Sequence, residues 1–214
     1  MLFGIDFSIK SPAVCLRNIN GSINFLSFPR TDVIKEDVEL ALNRCKVIVI
    51  KIPKEPSLLK SSSLTERERS SLNDCSNEIN IILRELDHLI NDKISAWAIE
   101  GFSFASTGNR LAQLSGYQWV FRNVILQHFN LNANHMWVFA PMTVKATAGK
   151  GNFKKEDMIE AFLNVEDSGL RETLLWQKMK NEPSLFQNKK GAWLKPIDDI
   201  IDSYWVLRTL ERHV

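Results

Sequence analysis

The sequence predicts an α/β protein built around a mixed β-sheet. Three observations carry that prediction. The chain opens with three short apolar segments, 2–7, 13–19 and 22–28, and Asn20-Gly21 joins the last two. Asn-Gly between apolar runs is a strong hairpin signal, so the chain starts as an antiparallel meander. Beyond residue 33, segments of helical period alternate with short apolar runs, the pattern of α/β proteins. Of 214 residues, 44% are hydrophobic and 24% charged, which suits a packed core and excludes disordered and low-complexity classes.

Each element has a local reason. LFGIDF (2–7) is a buried strand carrying one carboxylate, and Ser8 to Pro12 punctuate it. AVCLRNI (13–19) and SINFLSF (22–28) complete the meander. Residues 33–44 have helical periodicity, and KVIVIKI (46–52) reads as a further strand. The Pro- and Ser-rich stretch 53–64 is an exposed connection. A long helix follows from about Thr65 to Asn91, with Ser63 or Thr65 as its cap. ISAWAIE (94–100) is a buried strand ending in a carboxylate. Residues 109–129 form a long helix, 135–140 a strand and 153–164 a helix. The stretch 165–195 reads as irregular and carries Lys178, Lys180, Lys189 and Lys190. A last helix starts at Pro196, the favoured first-turn proline.

Several function classes fall away. The net charge of +2 permits a nucleic-acid partner without arguing for one. No apolar run approaches the ~18 residues of a membrane helix, and MLFGIDFSIK lacks a signal-peptide layout. Cys15, Cys45 and Cys75 are too few and scattered for a disulfide framework or a zinc site. They read as reduced thiols of a cytoplasmic protein. His88, His128, His135 and His213 show no metal spacing.

Carboxylates interrupt apolar segments in three places. Asp6 lies inside LFGIDF, Glu100 closes WAIE, and Asp199 and Asp202 sit within IDDIIDSYW. An unpaired buried carboxylate is costly, so such groups pair, take up a proton or bind a metal. Asp199 and Asp202 lie about 60° apart on the helix, on one face. Alone, Asp6 or Glu100 reads more simply as a turn or cap residue. Asp198 reads as a helix-start acid favoured by the macrodipole. As a set of four, the others read as a site. Clustered carboxylates without His or Cys suit hard cations, Mg²⁺ or Mn²⁺. A pair of such ions is the standard device for phosphodiester cleavage.

These residues resemble the RuvC-like Holliday junction resolvases, in the phage-encoded branch, within the RNase H-like superfamily. The resemblance covers most of the chain in order. GIDFSIKSPAVCL resembles the first strand and hairpin with its aspartate, and AIEGFSF the motif ending the fourth strand. GNRLAQLSGYQWVFRNVI resembles the glycine-containing helix that follows. FAPMTVKATAGKGNFKKEDMI resembles the next strand, basic turn and helix. DDIIDSYWVL resembles the closing helix, whose acids are three apart.

The resemblance implies an RNase H-like fold: a five-stranded mixed sheet flanked by helices, in one domain, 1–214, with the acids at one edge. It implies catalytic and metal-binding roles for Asp6, Glu100, Asp199 and Asp202, with two Mg²⁺ per site and Mn²⁺ as a substitute. It implies a homodimer that nicks branched DNA, four-way junctions first, by two-metal phosphodiester hydrolysis. Against the family's usual lengths, about 30–63 and 166–195 stand out as insertions. The strand at 46–52 has no place in the family sheet, and Pro12 stands where a small polar residue is common.

For DNA contact, Lys145, Lys150, Lys154 and Lys155 surround Gly149 and Gly151, next to a helix start. Glycines let backbone approach phosphate, and free helix N–H groups bind it; a plain Lys-rich surface turn is the simpler reading of the same residues. The resemblance places Lys145 and Lys155 near the scissile phosphate. Phe102 and Phe104 follow Glu100, where the family carries an aromatic that stacks on junction bases, though its usual spacing falls on Ser103. Both also read as core residues. Trp119 reads as core or dimer interface, and 178–190 with Trp193 as a DNA-arm contact or a mobile loop.

Three rivals remain distinct. Sugar kinases and actin-like ATPases share a strand–aspartate–hairpin opening, but they need a duplicated domain and a second Gly-rich loop. A non-catalytic branched-DNA module has no reason to keep four desolvated acids. Cleavage of RNA–DNA hybrids, or of flaps and forks, would use the same acids.

Overall fold

The computed structural model describes all residues except 9, 54–60 and 103–108, and the side chains of 109–112. Phe104 therefore lies outside the described residues. The meander forms as expected: β1 (Leu2–Asp6), β2 (Ala13–Arg17) and β3 (Ile23–Ser27) pair antiparallel in sequence. Gly21 at the turn has φ of 85°, a backbone region glycine enters without steric cost. Next come α1 (Glu36–Arg44), a two-residue β4 (Ile48–Val49) and the long α2 (Leu64–Leu89). Ser63 caps α2 in a reciprocal capping box with Glu66. Then follow β5 (Ala96–Glu100), α3 (Asn109–His128), β6 (Met136–Phe139), α4 (Pro141–Ala148) and α5 (Lys155–Asn164). Short helices α6 (Ser168–Arg171) and α7 (Leu174–Asn181) precede the closing α8 (Ile197–Glu211).

The sheet has six strands in the order β4-β3-β2-β1-β5-β6, one more than the five implied by resemblance. β5 pairs parallel with β1 and β6 with β5, so the sheet is mixed. The extra strand is β4, at the edge beside β3. It is much shorter than 46–52, because Lys46 turns the chain at φ of 60° and only a lone bridge, Arg30 to Ile52, follows it.

Strand parity sorts the core into two layers. Phe3, Ile5, Val14, Leu16, Trp97 and Ile99 point to the layer beneath α2 and α3. Ala13, Cys15, Ala96 and Ala98 point to the layer beneath α1, α4, α5, α7 and α8. Gly4 lies opposite Cys15, and α8 presses directly on it. A Cβ on Gly4 would sit 2.3 Å from the backbone nitrogen of Leu207, so only glycine permits this contact. α8 is apolar nearly all round because it lies buried between the sheet, α4 and α5.

Two expectations are corrected. The expected basic turn after β6 contains a full helix, α4, started by Pro141 at its first position and closed before Gly149. The irregular 165–195 segment is ordered as α6, α7 and a 3₁₀ turn at Pro183–Leu185. Leu170, Leu175, Met179 and Phe186 anchor it in the core, so it is no mobile surface loop. A buried polar clamp secures its start. Asp167 accepts two hydrogen bonds from the Arg17 guanidinium, at 2.5 and 3.2 Å, and one from the Tyr204 hydroxyl at 2.9 Å. Cys15, Cys45 and Cys75 are free and buried. Among the described residues, no helix is long and apolar enough to cross a membrane.

Candidate active site

Parity fixes where the strand acids point. Asp6 is two residues beyond Gly4, and Glu100 two beyond Ala98, so both face the α8 side of the sheet. β1 and β5 are parallel neighbours paired through Ile5 and Ile99, so the acids end adjacent strands side by side. α8 crosses this face and delivers Asp199 and Asp202 from its first two turns. Three separate elements thus bring four carboxylates together.

The electrostatics register that closeness. Burial raises the Asp6 carboxyl well above the usual carboxylate range, and Asp199, Asp202 and Glu100 push it further. Asp202 is pushed up to about 8, by burial and then by Glu100, Asp199 and Asp198. Glu100 is pushed up to about 7 by burial, with Lys145 partly offsetting it. Asp199 is raised by burial and by Asp198. Asp6, Glu100 and Asp202 keep some solvent contact, whereas Asp199 is only 4% exposed. The cluster is therefore a partly solvent-exposed group of mutually repelling acids, short of positive charge.

Lysines answer part of that shortage. Lys195 reaches Asp199 at 2.5 Å and Asp198 at 2.9 Å. Burial alone would lower the Lys195 ammonium, but these two carboxylates outweigh it and hold the ammonium charged. Lys155 also pairs with Asp198. Burial would raise Asp198, yet the two ammoniums leave it below the ordinary value. Asp198 thus sits in a lysine cage at the border of the acid cluster, in the first turn of α8. The Asp199 carboxylate is buried, and the Ser11 hydroxyl beside it offsets part of the rise.

The residues suit a hard divalent cation. All four donors are carboxylates, and Lys195 and Lys145 offset only part of their charge. Among the described residues, no three carboxylate, imidazole or thiol groups already close on one point as in a finished metal cage. Lys195 occupies one Asp199 oxygen in this arrangement.

The expected DNA-facing residues divide. Lys145 lies on α4, near enough to Glu100 to lower it. Lys155 sits at the first position of α5, beside Asp198. Lys150 and Lys154 are exposed on the turn between α4 and α5, without ion pairs among the described residues. Phe102 is partly buried, with the Arg122 guanidinium 6.0 Å from its ring centre. Trp119 is 62% exposed, which excludes its reading as core.

Sequence reasoning missed Lys195, Gln118 and Arg122. The signal for Lys195 was its spacing, three and four residues before Asp198 and Asp199, which puts helix side chains in contact. Gln118 donates to the Glu100 carbonyl at 3.1 Å, and its own carbonyl accepts from Arg122 at 2.7 Å. That relay ties α3 to the strand end that carries the glutamate. Nothing in the sequence pairs Gln118 with Glu100 across a separation of 18 residues.

No family model and no curated protein matches the sequence. Among solved structures, the chain is similar to Thermus thermophilus RuvC, at 15% identity and a TM-score of 0.49, covering 99% of this chain and 95% of that one. It is similar to T. thermophilus RuvC in complex with Holliday junction substrate, at 15% identity and a TM-score of 0.48, covering 97% and 90%. It is also similar to the yeast mitochondrial Holliday junction resolvase Ydc2, at 14% identity and a TM-score of 0.38, covering 99% and 78%.

Proposed function

We propose that this chain is a divalent-metal-dependent DNA endonuclease that resolves branched DNA, four-way junctions above all, as a cytoplasmic homodimer of the phage-encoded resolvase type. The observation that carries the proposal is the gathering of Asp6, Glu100, Asp199 and Asp202 from two strand ends and one helix. Asp6, Glu100, Asp199 and Asp202 would hold two Mg²⁺, or Mn²⁺ in their place. Such ions supply an activated water and stabilise the charge on the leaving oxygen.

The chain's own residues do the rest. Asp6 feels the charge of Asp199, Asp202 and Glu100 alike, so it would share the ions with all three. Lys195 holds one Asp199 oxygen, so the other would be the one offered to an ion, with Ser11 beside the carboxylate. Lys145 beside Glu100 is placed to meet a phosphate entering the acid cluster. Lys150, Lys154 and Lys155 extend positive charge along the rim, where phosphate contacts add affinity without reading sequence. Phe102, next to Glu100, is the aromatic placed to stack on a base near the cut; Phe104 carries the same proposal from sequence alone.

The test is cleavage of a labelled four-way junction, a linear duplex and an RNA–DNA hybrid, in Mg²⁺, Mn²⁺ or EDTA, beside Asp6→Asn. The proposal expects paired nicks on the junction that vanish in EDTA and in the variant. Cleavage of the hybrid alone would keep the chemistry and overturn the substrate. Junction binding without cleavage in any metal would overturn the enzyme.

A further inference from the structure

The segment before α8 holds a feature that the proposed chemistry leaves unused. Residues 183–197 carry three lysines and no carboxylate. Within them the chain folds back as a short hairpin, closed by a bridge between Gln187 and Trp193. The Leu194 amide donates to the Phe186 carbonyl and the Asn188 amide to the Ala192 carbonyl, each at 2.9 Å. The Gly191 amide donates to the Asn188 carbonyl at 2.9 Å, which makes 188–191 a β-turn. The Asn188 side-chain oxygen accepts from the Lys190 and Ala192 amides at 2.8 and 3.1 Å, and Gly191 takes a φ of 79°. Phe186 is fully buried, and Trp193 and Leu194 pack on the core, so the hairpin has a fixed base.

What this turn presents is positive charge. Lys189 and Lys190 occupy its two central positions, and both are exposed. Neither ammonium has a partner among the described residues, whereas Lys178 pairs with Glu182 and Lys180 donates to the Leu163 carbonyl and to Asn164. Two adjacent ammoniums without a carboxylate gain most from an anion that spans both. The returning strand of the hairpin ends at Lys195, which holds Asp198 and Asp199. Lys155, at the start of α5, holds Asp198 as well. Asp198 thus joins the foot of the hairpin to the foot of the turn that carries Lys150 and Lys154, and both basic turns are anchored beside the acid cluster. An extended chain covers at most ~3.6 Å per residue, so the Cα of Lys190 lies within ~18 Å of that of Lys195. Along one strand of a duplex that distance is about five nucleotides.

We propose that the 188–191 turn is a phosphate clamp for the duplex arm beside the cut, with Lys189 and Lys190 on backbone phosphates within about five nucleotides of the scissile one. The proposal rests on the branched-DNA reading above and gives the segment before α8 a substrate contact. An acidic protein surface is the competing occupant. The short tether to Lys195 favours DNA, because a strand whose phosphate enters the acid cluster carries further phosphates within reach of the turn.

The experiment measures affinity for a four-way junction across salt concentrations, in EDTA so that no cleavage intervenes. Wild type is compared with Lys189→Ala/Lys190→Ala, with Lys189→Arg/Lys190→Arg and with Lys178→Ala/Lys180→Ala, a control that loses the same charge. Each phosphate contact contributes about 0.9 to the slope of log affinity against log salt. The slope should therefore flatten by about 2 in Lys189→Ala/Lys190→Ala, with roughly tenfold weaker binding at about 0.1 M salt. The arginine pair and the control pair should keep the wild-type slope. Ethylation interference should map the lost contacts to phosphates within about five nucleotides of the nick that wild type makes in Mg²⁺. An unchanged slope in Lys189→Ala/Lys190→Ala overturns the clamp and leaves the lysines to solvent or to an acidic protein. Equal flattening in the control pair also overturns it, because net charge alone then accounts for the effect. If wild type itself does not prefer the junction to a linear duplex of equal length, the branched-DNA reading fails, and that failure shows in wild type alone.

Discussion

Asp202→Asn is expected to stabilise the metal-free protein while abolishing cleavage. In the folded chain the Asp202 carboxyl stands at about 8, because of burial and the neighbouring Glu100, Asp199 and Asp198. Unfolded, it titrates near ~3.9. A folded value above the unfolded one means that the ionised group opposes folding. The penalty is absent below about pH 4, grows as the pH rises to about 8, and then levels off. At pH 7 the three pH units above the unfolded value amount to a ceiling of ~4 kcal/mol. Asp202 keeps some contact with solvent, and relaxation of its neighbours spreads the titration over the four acids, so ~2 kcal/mol is the working figure. In a chain of this size that raises the melting temperature by ~4–8 °C. The assay is thermal unfolding of wild type and variant in EDTA at about pH 5, 7 and 8.5, the range over which the penalty develops. The gap should widen with pH, and Mg²⁺ should narrow it by stabilising wild type more than the variant. A variant that melts at or below wild type in EDTA at the highest pH, or a gap indifferent to pH, would refute the repulsive cluster.

Two further expectations concern the framework that holds the site. Asp167→Asn removes the carboxylate that Arg17 and Tyr204 share, and should cost ~3 kcal/mol in urea unfolding, as for a broken buried pair. Burial would raise Asp167, but Arg17 and Tyr204 hold it below the ordinary value. Its contribution is therefore present above about pH 4 and fades as the pH falls, so the deficit of the variant should shrink in acid. Gly4→Ala places a Cβ 2.3 Å from the Leu207 nitrogen and forces α8 off β1. It should cost at least the ~3 kcal/mol of severe overpacking and abolish cleavage along with stability, read by circular dichroism melts and junction nicking. A Gly4→Ala protein with wild-type melting would contradict the packing of α8 on the sheet.

What the sequence determined by itself was whatever depends on local periodicity. The meander, its Asn20-Gly21 turn, the long helices and the closing helix each follow from patterns within a few residues. The three-residue spacing already put Asp199 and Asp202 on one helix face, while the side of the sheet that Asp6 and Glu100 take follows from strand parity once the strands are placed. The short pieces were less legible. α6 and α7 have too few residues to show a period, and β4 is two residues long, held by pairing with β3 rather than by its own sequence. Only the tertiary structure decided which charges meet. Arg17 and Asp167 are 150 residues apart, Lys155 and Asp198 are 43, and Arg122 has no carboxylate partner among the described residues. Periodicity tells which way a side chain points, whereas a counter-ion is chosen by what the fold sets in front of it. That is why the acids were legible as a set, while the lysine cage and the aromatic-flanked arginine were not.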